Sequence, residues 1–176
     1  MIVERLDRST VAPVVWDHLL AHVRVDSEQG TEVNRHAHAA AQEAEDYGQL
    51  ALLTQTIRVT FEAWPDLTVL PLPIIPVLTA GSVTLVADGL AFTGFTVTTG
   101  LRPALALTDV RPVGRVVVQY QAGFGASATD IPPALAHAIL DQAAALFDDR
   151  GAGDGKTNGM SVHMARILAR YRRVAL

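Results

Sequence analysis

VVVQYQAGFGASATDIPPALAHAILDQAAALFDDR, residues 116–150, holds the two textures from which the rest of the chain is built. Its opening residues are rich in Val and end at a glycine turn, as a strand does. Past the turn the period changes. Asp130 is placed to cap a helix, Pro132 and Pro133 suit its first turn, and Leu135, Ile139, Ala143 and Leu146 recur as a buried stripe. Here a β region gives way to a helical one.

Working upstream, strand-like segments recur at GRVVVQYQAG (114–123), ALALTDV (104–110), FTGFTVTTG (92–100) and GSVTLVADG (81–89), the last ending in a turn at Asp88-Gly89. LPLPIIPV (70–77) can only be edge or irregular extended chain, because proline donates nothing to a ladder. LLTQTIRVTFEAW (52–64) alternates, with Ile57, Val59 and Phe61 on one side and Arg58, Thr60 and Glu62 on the other. About six short strands with regular turn signals predict a small antiparallel barrel or sandwich.

Before the strands the texture is helical. APVVWDHLLAHVRVD (12–26) spaces Val15, Leu19, Leu20 and Val23 for a first helix, with Trp16 adjacent. Thr31 can cap a second, whose face runs through Val33, Ala37, Ala40, Ala41, Ala44 and Tyr47 and which Gly48 closes. After residue 150, Ser161 can cap a last helix, VHMARILARYRRV (162–174). Met164, Leu168 and Tyr171 share one face there, with Ile167 beside it, and Arg166, Arg170 and Arg173 lie largely on another. The predicted class is α+β: a helical framework of two N-terminal and two C-terminal helices around an inserted β module. The expected divisions are residues 1–51, 52–125 and 126–176.

Composition bounds the function. The 176 residues are 49% apolar and 18% charged, which fits a folded domain. Net charge is −4, so the chain as a whole is not built to coat nucleic acid. Yet residues 155–176 hold five basic side chains, Lys156, Arg166, Arg170, Arg172 and Arg173, and no acid. A basic end on an acidic body points to an acidic partner. With no cysteine, disulfides and thiolate chemistry are excluded. MIVERLDRST does not have the layout of a signal peptide, and Pro71, Pro73 and Pro76 break the one long uncharged run, so export and membrane spanning are not expected.

Three patterns invite a chemical reading. GAGDGKTNG (151–159) ends like a P-loop at Gly155, Lys156 and Thr157. Only three residues separate Gly151 from Gly155, one too few, and the stretch follows a helix where a P-loop follows a strand, so it reads as a connector and no nucleotide is expected. His18 and His22 stand one helical turn apart and could share a metal, but no third ligand is evident nearby, and the reading is two surface histidines with no cofactor. His36 and His38 cannot face each other on a helix, and His137 and His163 read as isolated. The Ser of GFGAS (123–127) has no matched acid and base, so no catalytic residues are assigned. What remains is the arginine-bearing last helix, a candidate for docking into a partner's groove.

In order and spacing these segments resemble one family, the head–tail connector (adaptor, or head-completion) proteins of tailed phages and gene transfer agents. HLLAHVRVD (18–26) resembles the family's opening helix, ALLTQTIRVTFEAWP (51–65) its helix-to-strand passage, and residues 116–150 its last strand, glycine turn and third helix. Tyr171-Arg172-Arg173 resembles a motif near the family's C-terminus. The chain departs where members often carry Trp-Tyr late in the third helix; only Phe147 stands here.

The resemblance implies a structural role in the neck of a virion or virus-like particle, made in the bacterial host cytoplasm. It implies a homo-oligomeric ring, commonly a dodecamer, beneath the portal protein, extending the DNA channel without sequence-specific binding and meeting a tail-side connector or stopper. Portal binding is then expected of Arg166, Arg170, Tyr171, Arg172 and Arg173. The competing readings are a β module that binds a carbohydrate or peptide, a metal enzyme using His18 and His22, and a nucleic-acid-binding protein acting through its basic tail.

Overall fold

The computed structural model describes residues 1–108, 110–149 and 159–172. The chain divides into two compact units, residues 1–9 with 54–124 and residues 10–53 with 125–176. The class is α+β, with four α-helices and two antiparallel sheets among the described residues.

The first unit carries the strands β1 (Ile2–Arg5), β2 (Gln55–Phe61), β3 (Val69–Pro71), β4 (Thr84–Ala87), β5 (Leu90–Ala91), β6 (Phe95–Thr98), β7 (Ala104–Leu107) and β8 (Val116–Ala122). The larger sheet runs β1-β2-β8-β4-β5 and the smaller β3-β7-β6. β8 is last in the chain yet sits at the centre, with Val59 and Leu85 opposite Val118 on its two sides. Its inward residues Val116, Val118, Tyr120 and Ala122 are buried, as are Ile57, Val59 and Phe61 of β2, which the alternation of the sequence anticipates. Gln55 is buried on that same face, and Thr60 is buried on the opposite one, so β2 is covered on both faces only near its end. The Tyr120 hydroxyl accepts the Ile74 N–H at 3.0 Å and thereby satisfies one backbone donor of the proline-rich segment.

Asp88 and Gly89 form the two-residue connection between β4 and β5, both with positive φ (48° and 81°). Asp-Gly tolerates that conformation, and its twist matches the strands it joins. The sequence pattern did not foresee β1. It is an edge strand, with Ile2 and Val3 exposed, so no alternation marks it.

The second unit packs α1 (Trp16–Val23), α2 (Gly30–Gly48), α3 (Pro133–Asp148) and α4 (Val162–Leu168). α2 and α3 form its main interface, and α1 and α4 both pack on α3. The small residues Val33, Ala37, Ala40, Ala41 and Ala44 are buried, as predicted. The face then turns toward Glu45 and Gly48, leaving Tyr47 exposed. The reason is a hydrogen bond: the buried Glu45 carboxylate accepts the Leu52 N–H at 2.8 Å, tying down the chain that leaves the helix. On α3, Phe147 is buried where Leu146 was expected, and its ring meets His36 edge to face at 6.0 Å.

Two caps differ from expectation. A 3-10 turn at Ser27–Gln29 runs directly into α2, so Gln29, not Thr31, precedes the helix and no side chain caps it. Asp130 closes a capping box with Ser127 on the 3-10 turn Ala128–Asp130, while α3 itself starts at Pro133.

Candidate functional site

The basic C-terminal segment forms less helix than its sequence pattern suggests. Ser161 does cap α4, its hydroxyl accepting the Met164 N–H at 3.1 Å. After Leu168 the bonding tightens: Arg170 N–H reaches Ile167 O at 3.2 Å and Tyr171 N–H reaches Leu168 O at 2.9 Å. Such three-residue bonds end a helix in a turn.

The segment is embedded in its unit. Met164, Ile167 and Leu168 are buried, and Leu168 lies so close to the end of α2 that a Cβ on Gly48 would come within 3.2 Å of it. A polar chain holds the other side. The buried Gln142 of α3 accepts the Ser161 N–H at 2.8 Å and donates to Glu43 of α2 at 3.1 Å. Burial raises the Glu43 carboxyl above its ordinary value, and the Gln142 bond opposes that shift.

The residues expected to meet a partner are arranged around this anchor. Arg166 and Arg170 are exposed and stand one turn apart. Arg172 has a task within the unit, its guanidinium lying 4.7 Å from the centroid of the Tyr47 ring. Tyr171 is half-buried, and burial raises its phenol, against the pull of the Arg170 charge. Arg173, Gly155, Lys156 and Thr157 lie outside the described residues.

The structure also groups residues that the sequence left apart. His18 is exposed, whereas His22 turns toward α3 and sets Nε2 at 2.9 Å from Asp141 Oδ1. His137, one turn before Asp141, sets Nδ1 at 3.2 Å from Oδ2, and His163 of α4 sets Nδ1 at 2.6 Å from the same oxygen. Three histidines from three helices thus surround one carboxylate, and His137 and His163 are not isolated. The i, i+4 spacing of His137 and Asp141 was the one part of this visible in the sequence.

A shallow groove in the first unit is lined by Thr54, Leu78, Thr79, Ser82, Gln121 and Gly123, and none of these side chains is ionisable. Among the described residues, no helix is long and apolar enough to cross a membrane.

The fold so defined comprises a helical unit with exposed cations and an antiparallel β unit. Compared by sequence, the chain matches no family model and none of the curated proteins. Compared by fold, it is similar over its whole length to solved chains of gene transfer agent (GTA) particles. One belongs to the virion of a native GTA particle, with TM-score 0.82 and 23% identity, covering 100% of this chain and 97% of that one. A second is from the neck of an empty GTA particle computed with C6 symmetry, with TM-score 0.80, 25% identity and the same coverage. A third is from the neck of a native GTA particle computed with C12 symmetry, with TM-score 0.77, 25% identity and the same coverage.

Proposed function

We propose that this chain is a structural component of the neck of a phage-like or gene transfer agent particle, and within it a ring-forming head–tail adaptor. The observation that carries the reading is the likeness to chains of GTA necks, which covers 100% of this chain and 97% of the solved chains. One of those necks is described with C12 symmetry, and this supports a ring of twelve copies.

The chain's own chemistry agrees. A ring subunit needs two different side surfaces that close on rotation. The edge strand β1 exposes Ile2 and Val3 beside an unpaired strand edge, the kind of surface that a monomer conceals. An acidic body suits a channel wall along which DNA slides, since a basic wall would hold the phosphates. In this reading the helical unit meets the portal, and Arg166 and Arg170 pair with its carboxylates, flanked by Tyr171, Arg172 and Arg173. Guanidinium groups suit such planar, bidentate contacts.

The test is co-sedimentation with the portal protein encoded near this chain's gene, followed by imaging down the axis. The expected result is a second ring stacked on the portal, and loss of binding in the double variant Arg166→Glu, Arg170→Glu. Both side chains are exposed, so the fold should persist. Deleting the segment would be a poor test, because Met164 and Leu168 belong to the core. A folded wild-type chain that ignores an assembled portal would refute the adaptor role. Stacking that survives the double variant would refute only the assigned contact.

A further inference from the structure

We propose that His22, His137 and Asp141 form a binding site for a divalent transition-metal ion of the zinc class, with His163 orienting the carboxylate ligand. One ligand atom from each of the three residues lies within 4.8 Å of the others, contributed by α1 and by two successive turns of α3. Zinc holds nitrogen and oxygen ligands at about 2.0–2.2 Å, which places tetrahedral ligand atoms roughly 3.3–3.6 Å apart. Small side-chain rotations close the difference, and all four side chains are partly exposed, so no core packing resists them.

The donor set favours zinc-class ions. Two imidazoles and one carboxylate suit a borderline ion, while calcium and magnesium call for oxygen ligands alone. The surroundings resemble the outer shell of a metal site. His163 Nδ1 lies 2.6 Å from Asp141 Oδ2, while Oδ1 faces His22 at 2.9 Å. A ligating carboxylate is commonly fixed in this way by a hydrogen bond to its second oxygen. The His137 ring stands edge-on to both His22 and His163, at 5.4 and 5.8 Å between centroids. Three protein ligands leave a fourth position open to water. Bound metal would tie α1 to α3 directly, and α4 to both through His163.

The experiment uses the full chain without a polyhistidine tag, stripped with EDTA and titrated with Zn2+ by calorimetry and with Co2+ by visible absorption. One ion per chain is expected, with the d–d bands of low-coordinate cobalt and a rise in Tm on adding Zn2+. His137→Ala, on the most exposed ligand, should abolish binding and keep the fold. His163→Ala should weaken it by about 10–100-fold, as outer-shell changes do. His18→Ala should bind as wild type, which separates this site from the sequence-adjacent pair His18 and His22. Absence of Zn2+ uptake by the folded wild type, or uptake unchanged in His137→Ala, overturns the proposal, as does equal loss in His18→Ala.

Discussion

Replacing Gln142 by Leu should loosen α4 before anything else in the molecule. The side chain is 1% exposed and makes two hydrogen bonds, accepting the Ser161 N–H at 2.8 Å and donating to Glu43 at 3.1 Å. Leucine fills similar space and makes neither. Glu43 is partly exposed and can turn to water, so its loss is small. The Ser161 N–H is part-buried and belongs to the residue that caps α4, and an unsatisfied donor of this kind costs about 1–3 kcal/mol. A helix of seven residues has no stability of its own, since its nucleus alone is unfavourable. The cost therefore falls on the docking of α4. At tenfold per ~1.4 kcal/mol, local opening should rise by about 5- to 150-fold. Hydrogen exchange read by mass spectrometry is the assay. Amides of residues 164–168 should exchange faster in Gln142→Leu, while those of β2 and β8 keep their protection. Unchanged protection in α4 would mean that its apolar contacts alone hold it, and the role given to the Gln142 bonds would fall.

Tyr120→Phe removes the hydroxyl that accepts the Ile74 N–H in a fully buried setting, so it should cost about 1–3 kcal/mol in denaturant unfolding of the β unit; an unchanged midpoint would refute the assignment. Glu43 binds its proton more tightly folded than unfolded, so it adds stability below its unfolded pKa, and that contribution is lost as pH rises through the raised folded value. Glu43→Gln should therefore gain on wild type as pH climbs from about 4 to 7, and parallel stability curves would exclude the shift. Ser161→Ala should lower the stability of α4 by ~1 kcal/mol through loss of its cap, readable by the same exchange experiment.

Much of the fold was legible because its signals are local. The alternation of Ile57, Val59 and Phe61 set the inward face of β2, Asp88-Gly89 set the turn that ends β4, and the alanine face of α2 set its packing side. What escaped depends on partners remote in sequence. β1 has no inward face of its own and exists because β2 offers a free edge, with Val3 opposite Val59. The shift from Tyr47 to Glu45 at the end of α2 follows from the Leu52 N–H, which needs an acceptor once the chain turns back. Periodicity counts apolar residues, so it assigns an aromatic to the core and a carboxylate to water, and here a backbone donor reverses both.

The basic segment illustrates the same limit at the proposed docking surface. In sequence it reads as a helix with one apolar and one basic face, tethered by a glycine-rich connector and able to dock into a partner's groove. In the structure α4 is docked on both sides, by Met164, Ile167 and Leu168 in the core and by Gln142 and Asp141 at its start. Arg172 is drawn onto Tyr47, and Arg166 and Arg170 are left facing outward. A surface already ordered does not spend binding energy on folding when it docks. A ring whose subunits each contribute such a surface repeats it around the axis, and repeated contacts reinforce one another through effective concentration. In the proposed adaptor reading, the two outward arginines would then need only a weak contact apiece for an assembled ring to hold, which fits side chains left exposed on an ordered surface.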